Sequence, residues 1–155
     1  MTKVIIVYES RYGNTKLVAE TIAEGMKSDS ETEVVLSELN ETDPGKLGDY
    51  DAILVGSPNH IGTATRSVRK FIDQLGKLGL ENKPVTVFDT YMIKDYEKAV
   101  RKMERRLKAK TSGLNLITPG LSVRVDGLKG PVTAGELPRS REFGARIASL
   151  LKESQ

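Results

Sequence analysis

Val4-Ile5-Ile6-Val7-Tyr8 are five consecutive apolar residues, four of them β-branched. Such a run marks a strand buried on both faces, the condition of an inner strand in a parallel sheet. The pattern then changes period. Leu17, Val18, Thr21, Ile22, Gly25 and Met26 recur at helical spacing between Lys16, Glu20 and Glu24, which predicts a helix with one buried stripe. Glu33 to Leu36 predicts a second strand. Asp43-Pro44-Gly45-Lys46-Leu47-Gly48 is a cluster of breakers that leaves room for only a short helix. A third strand over Asp51 to Gly56 runs into the turn-rich Ser57-Pro58-Asn59-His60-Ile61-Gly62-Thr63. Beyond it Val68, Phe71, Ile72, Leu75 and Leu78 stripe a helix, and Pro84 to Phe88 reads as strand four. Tyr96, Val100, Met103 and Leu107 stripe another helix, Leu114 to Ile117 gives strand five, and Phe143, Ile147, Leu150 and Leu151 stripe the last helix.

Strands alternating with helices imply an α/β fold, a five-stranded parallel sheet wound doubly so that helices cover both faces in three layers. In open sheets of this kind ligands bind beyond the carboxyl ends of the strands, where the strand order reverses. The distinctive loops, after strands one, three and four, lie at those ends. Residues 118 to 135 fit less well. They hold Pro119, Gly120, Gly127, Gly130, Pro131 and Gly135, with Ser122 to Val125 as a short extra strand. A connection that long in a compact domain carries local structure or covers something.

The length of 155 residues predicts one domain over 1–155. No apolar run approaches the roughly 20 residues that cross a bilayer, and Val4 to Tyr8 is too short for a signal-peptide core, so a soluble, cytoplasmic chain is expected. The absence of cysteine removes disulfides, thiolate metal sites and cysteine nucleophiles from consideration. The formal charge of +3 is unevenly placed. Residues 94 to 110 carry eight positive and three negative side chains, so the basic balance reports one local stripe.

The first loop, Ser10-Arg11-Tyr12-Gly13-Asn14-Thr15, joins strand one to the first helix. Hydroxyls, an amide side chain and small residues there aim unpaired main-chain N–H groups and the positive helix end at one point, a cradle for a phosphate. No Walker-type lysine follows, so the loop suits a phosphate that is held and not transferred. A G-x-G-x-x-G pattern is also missing. The competing reading is an ordinary turn with Thr15 as a helix cap.

Glu9 to Thr15 after strand one, Gly56-Ser57-Pro58-Asn59-His60 after strand three, and Phe88-Asp89-Thr90-Tyr91 after strand four resemble the three FMN-binding loops of flavodoxins. Gly130-Pro131 through Leu137 resembles the tail of small members of that family. The resemblance spans the chain and implies the strand order 2-1-3-4-5, with FMN as cofactor. It implies that Ser10, Tyr12, Asn14, Thr15 and the backbone of Arg11, Gly13 and their neighbours hold the phosphate, with Ser57 assisting. Many flavodoxins have a small hydroxyl residue where Tyr12 stands, so its main chain matters more than its phenol. The segments Ser57-Pro58-Asn59-His60-Ile61-Gly62 and Asp89-Thr90-Tyr91-Met92 would clasp the isoalloxazine ring. Tyr91 is the natural stacking residue. Family members often place tryptophan on the other face; this chain has none, so His60 or Ile61 must serve. Gly62 allows a peptide to turn its carbonyl toward the proton that flavin reduction adds at N5, or it merely ends the loop.

No serine-histidine-acid triad or metal cluster is evident, which favours an electron carrier serving protein redox partners. An FMN-dependent reductase of quinones fed by NAD(P)H and a redox-silent binding module on the same fold are the alternatives. A receiver domain needs an acidic cluster that Glu9 and Gly56-Ser57 do not supply. The Lys94 to Lys110 stripe either docks an acidic redox partner or is a solvated helix face braced by Glu97 with Arg101 and Glu104 with Lys108. Many flavodoxins are strongly acidic, so the stripe departs from the family. No motif or aromatic platform accompanies the charge, so nucleic acid is not an expected partner, and neither is a membrane.

Overall fold

Alternation of long apolar runs with helical stripes produces, among the described residues, six strands and four α-helices in a computed structural model. It describes residues 1–110 and 113–153; positions 111–112 and 154–155 of the expected domain span lie outside the described residues. The strands are β1 (Thr2–Tyr8), β2 (Thr32–Glu38), β3 (Ala52–Pro58), β4 (Pro84–Tyr91), β5 (Asn115–Leu116) and β6 (Leu121–Arg124). The helices are α1 (Asn14–Lys27), α2 (Arg66–Leu75), α3 (Lys98–Lys110) and α4 (Glu136–Glu153). All pairings within the sheet are parallel, in the expected order β2-β1-β3-β4-β5. Ile6 sits at the centre, opposite Leu36 on β2 and Leu54 on β3.

The fifth position of the sheet is divided. β5 pairs with Pro84 and Val85 at the start of β4, and β6 pairs with Phe88 to Tyr91 at its end. The stretch expected to be one strand over 114–117 is thus only its first part, and the segment 118–135 supplies the second. β3 and β4 also run further than their apolar cores predict, through Pro58 and Tyr91.

Each sheet face has its own core. Ile22 and Met26 of α1 pack with Phe143 and Ile147 of α4 on one side; Val68, Phe71 and Ile72 of α2 pack with Val100, Met103 and Leu107 of α3 on the other. α1 and α4 approach closely because Gly25 and Gly144 lie at their crossing. A Cβ at Gly25 would overlap the carbonyl of Arg141, and one at Gly144 would overlap that of Ile22. Leu17, expected on the buried stripe of α1, is exposed instead. Leu78 lies past the end of α2 and packs, partly buried, on the same core as that helix.

Between β2 and β3 the breaker cluster forms a 3-10 turn over Pro44–Asp49, preceded by another over Leu39–Glu41. Asp43 accepts the N–H of Gly45 at its start, and Leu47 plugs the core beneath. No α-helix forms in this connection, so α2 has open space beside it.

Candidate functional site

The carboxyl ends of β1, β3 and β4 converge on a narrow cleft of about 150 Å³. Ser10, Arg11, Tyr12, Asn14 and Thr15 line one part; Pro58, Asn59, His60 and Ile61 line another, and Thr90, Tyr91 and Met92 a third. Three loops spread over residues 10 to 92 therefore meet as expected. A wider hollow of about 880 Å³ lies between the 3-10 turns and α2, but of the predicted site residues only Ser10 borders it. Chemistry, not volume, picks the narrower cleft.

The first loop turns into α1 through Gly13, whose φ of 93° is open to glycine at no steric cost. Ser10 braces the turn: its hydroxyl oxygen accepts the N–H groups of Gly13 at 3.1 Å and Lys16 at 3.2 Å. Among the described residues, the N–H groups of Arg11, Tyr12, Asn14 and Thr15 have no acceptor. They converge at the helix start with its dipole, an arrangement that binds anions. Thr15 does not cap the helix. It is buried, and its hydroxyl meets that of Thr90 at 2.9 Å, tying the first loop to β4.

The second loop is a tight turn. His60 and Thr63 exchange main-chain hydrogen bonds, while Ile61 (φ 52°) and Gly62 (φ 78°) occupy its two central positions. Asn59 Oδ1 accepts the N–H of Gly62 at 2.9 Å. Asn59 Nδ2, on the cleft, is buried and donates to nothing among the described residues. An amide with one end used and the other idle points to an acceptor supplied by a ligand.

Tyr91 closes β4 and packs edge-on against Tyr96, with ring centroids 5.5 Å apart. Tyr96, expected on the buried stripe of α3, precedes that helix and is half exposed. Tyr91 and Tyr96 form an aromatic wall, and burial raises the pKa of the Tyr91 phenol.

Two expected site residues face elsewhere. Ser57 is fully buried; its hydroxyl donates to the Pro58 carbonyl and accepts the N–H of Thr65 at the start of α2. It does not border the cleft, so help to a phosphate from its side chain is not part of this geometry. Asp89 is also fully buried, accepting the Ser122 hydroxyl at 2.7 Å and the Val100 N–H at 3.0 Å. It ties β4 to β6 and to the start of α3. Desolvation raises its pKa to about 7 against the hydrogen bonds it accepts. Gly13 and Gly62 shape their turns without lining the cleft.

The cleft also contains Thr65, Asp95, Val125 and Leu128, which sequence reasoning did not single out. The signal for Val125 and Leu128 was the overlong segment 118–135. Past β6 it carries Leu128 to the cleft and seats Gly130 against the Asn14 side chain. Thr65 caps α2, accepting the Val68 N–H and donating to Glu9.

A model of the flavodoxin domain matches residues 5–123. The chain belongs to the flavodoxin family. A flavodoxin from the domain Archaea superposes with a TM-score of 0.83 at 26% identity, over 97% of this chain and 99% of its own. Oxidised flavodoxin 2 from Bacillus cereus does so with a TM-score of 0.74 at 27% identity, over 99% and 100%. The flavodiiron protein from Giardia intestinalis shares the fold at a TM-score of 0.80 and 21% identity; 99% of this chain matches 37% of that one. Flavodoxin membership implies a flavin, and the residues present fit one. The N–H groups at α1 suit its phosphate tail, the idle Asn59 amide suits a ring acceptor, and the Tyr91 wall suits a planar ring.

Proposed function

We propose that this flavodoxin-family chain binds FMN and passes electrons between redox partners. The observation that carries the reading is the convergence of idle donors on one narrow cleft. Four main-chain N–H groups stand at one end, and Asn59 Nδ2 stands by the second loop. A phosphate monoester on a planar, acceptor-rich ring answers both, and FMN is such a molecule. When bound it supplies the redox chemistry. The protein would hold its phosphate at α1, orient its ring with Asn59 and Tyr91, and exclude water with Ile61 and Leu128.

Carrier function is favoured over turnover of a separate substrate by what surrounds the cleft. Its lining contains one histidine and one carboxylate, His60 and Asp95. Among the described residues no group of three or more His, Asp or Glu side chains is placed to hold a metal.

The test is a spectrum of the purified protein, titration of the apo form with FMN, and stepwise reduction. A yellow complex that takes up electrons reversibly and turns over no quinone with NAD(P)H is the expected result. Sustained turnover would make the chain a reductase, and failure to take up FMN would make it redox-silent. Asn59→Asp keeps the acceptor for Gly62 and replaces the donor with a negative charge. It is expected to weaken FMN binding at least tenfold, about 1.4 kcal/mol or more, with apo stability little changed.

A further inference from the structure

The fold gathers the chain's positive charge onto one face. α2 and α3 share one side of the sheet and together carry ten cationic and two acidic side chains, a net of +8 in a chain of +3 overall. α1 and α4, on the other side, carry six cationic and five acidic ones. The sequence stripe over 94–110 is therefore half of a larger cationic surface, whose second half is the α2 residues Arg66, Arg69 and Lys70.

Within that surface is a recess of about 230 Å³ between the two helices, lined by Thr63, Arg69, Lys102, Arg105 and Arg106 among others. Asp73 holds Arg106 in a two-pronged ion pair at 2.7 and 2.8 Å. Arg69, Lys102 and Arg105 have no ion-pair partner among the described residues. Arg69 Nε is buried in protein and donates to nothing among them. An idle guanidinium donor in a recess with two unpaired cations is set to receive an oxyanion.

The recess adjoins the cleft. Thr63 closes the second-loop turn, and a Cβ at Gly62 would stand 3.8 Å from Lys102 Nζ and from Lys98 Cδ. Ile61 and Ile93 project from the neighbouring loops, 88% and 79% exposed. An apolar tip beside a cationic field is the composition of a protein docking site, with apolar contact at the centre and charge to steer and orient.

We propose that the α2/α3 face is the docking surface for an acidic protein electron partner, and that the Arg69–Lys102 recess receives a carboxylate of that partner. The proposal rests on the FMN reading for its redox purpose; the docking itself does not. The field extends along α3, a helix of 13 residues and so about 20 Å long, a reach that suits a protein surface more than a small anion. The exposed side chains of the two helices include no aromatic ring for a base to stack on.

Two arms test it, using cytochrome c, which is cationic, and succinylated cytochrome c, in which the lysines carry carboxylates. In the first arm the protein without flavin is titrated with each, and with a single-stranded oligonucleotide, at low salt and binding is read by sedimentation. Succinylated cytochrome c is expected to bind at least tenfold more tightly, with the advantage falling as salt shortens the Debye length. Arg69→Gln is expected to remove most of that affinity, and Lys108→Gln, farther along α3, much less. In the second arm the FMN-loaded, photoreduced protein is mixed with each acceptor. Faster reduction of the succinylated form is expected, with the preference reversed in Arg69→Glu/Lys102→Glu.

Equal binding of both cytochromes, or tighter binding of a single-stranded oligonucleotide than of the succinylated form, overturns the docking proposal. Equal effects of Arg69→Gln and Lys108→Gln overturn the recess as its anchor. Failure to load FMN bears on the cofactor reading alone, because the first arm proceeds without it.

Discussion

Ile61 is a residue whose backbone and side chain disagree. A two-residue turn with positive φ at both central positions favours Asn-Gly, and a β-branched residue there is strained. Ile61 adopts φ 52° and is 88% exposed, so no core burial offsets the strain. What it has in return is a place on the cleft rim, and strain of this kind gathers at ligand clamps. Ile61→Asn is therefore expected to stabilise the flavin-free protein by about 1 kcal/mol while weakening FMN binding. Denaturant melts and a flavin fluorescence titration read the two effects, and a destabilised apo protein would refute the argument. Asp89 offers a second test at this scale. Its carboxyl titrates near 3.8 when unfolded and about 7 when folded, because burial disfavours the charge. Between those values the folded chain holds a proton that the unfolded chain has released. Stability then falls as pH rises from about 4 to 7 and levels off above. Asp89→Asn, which cannot titrate, is expected to flatten that slope in melts recorded across the range, and an unchanged slope would place the titration elsewhere.

At the scale of elements, legibility followed how much each segment depends on distant partners. β1 and the apolar part of β3 were readable because Val4 to Tyr8 and Ala52 to Val55 are buried by their own composition. The end of β4 was not readable. Asp89 and Thr90 are poor strand signals, and they are held in the sheet by Ser122, Val100 and Thr15, which lie 11 to 75 positions away. The same applies to β6, only four residues long and defined by its register against Phe88 to Tyr91. In the cleft, the motifs placed their loops correctly, but a motif does not say which way a hydroxyl turns, and that of Ser57 turns inward to Pro58 and Thr65. Gly25 and Gly144 were similarly silent, since their meaning lies in the approach of α1 to α4. Alanine at Gly144 gains up to about 1 kcal/mol of helix propensity. Its Cβ must nevertheless displace the Ile22 carbonyl, part of a backbone that cannot rotate away, and overpacking costs typically 1–3 kcal/mol and occasionally more. Overlap with backbone puts Gly144→Ala at the upper end of that range, so a net loss of about 2 kcal/mol is expected in thermal melts. A stabilised variant would show that the helices part freely.

For the whole molecule, the cleft lies at the rim of two cores that are complete without it. One core packs α1 and α4 on the sheet and the other packs α2 and α3, each with fully buried aliphatic side chains such as Ile22 and Ile147 or Ile53 and Ile72. Of the residues that border the cleft, only Thr15, Thr65, Thr90 and Val125 are fully buried. A ligand there adds to a folded structure instead of completing one. The flavin-free chain is therefore expected to fold cooperatively, and FMN to stabilise it by mass action alone. At a free concentration one hundred times the dissociation constant the gain is about 2.7 kcal/mol, rising by about 1.4 for each further tenfold. Melts monitored by far-ultraviolet circular dichroism across an FMN series check both parts: a sharp transition without flavin, then a midpoint climbing with the logarithm of concentration. If the flavin-free chain lacked a cooperative transition, FMN would have to be part of the core, contrary to the closed packing on both sheet faces. If it melted sharply but its midpoint ignored FMN, the idle donors at α1 and Asn59 would serve some other ligand. The two failures are separable because the first concerns the cores and the second only the rim.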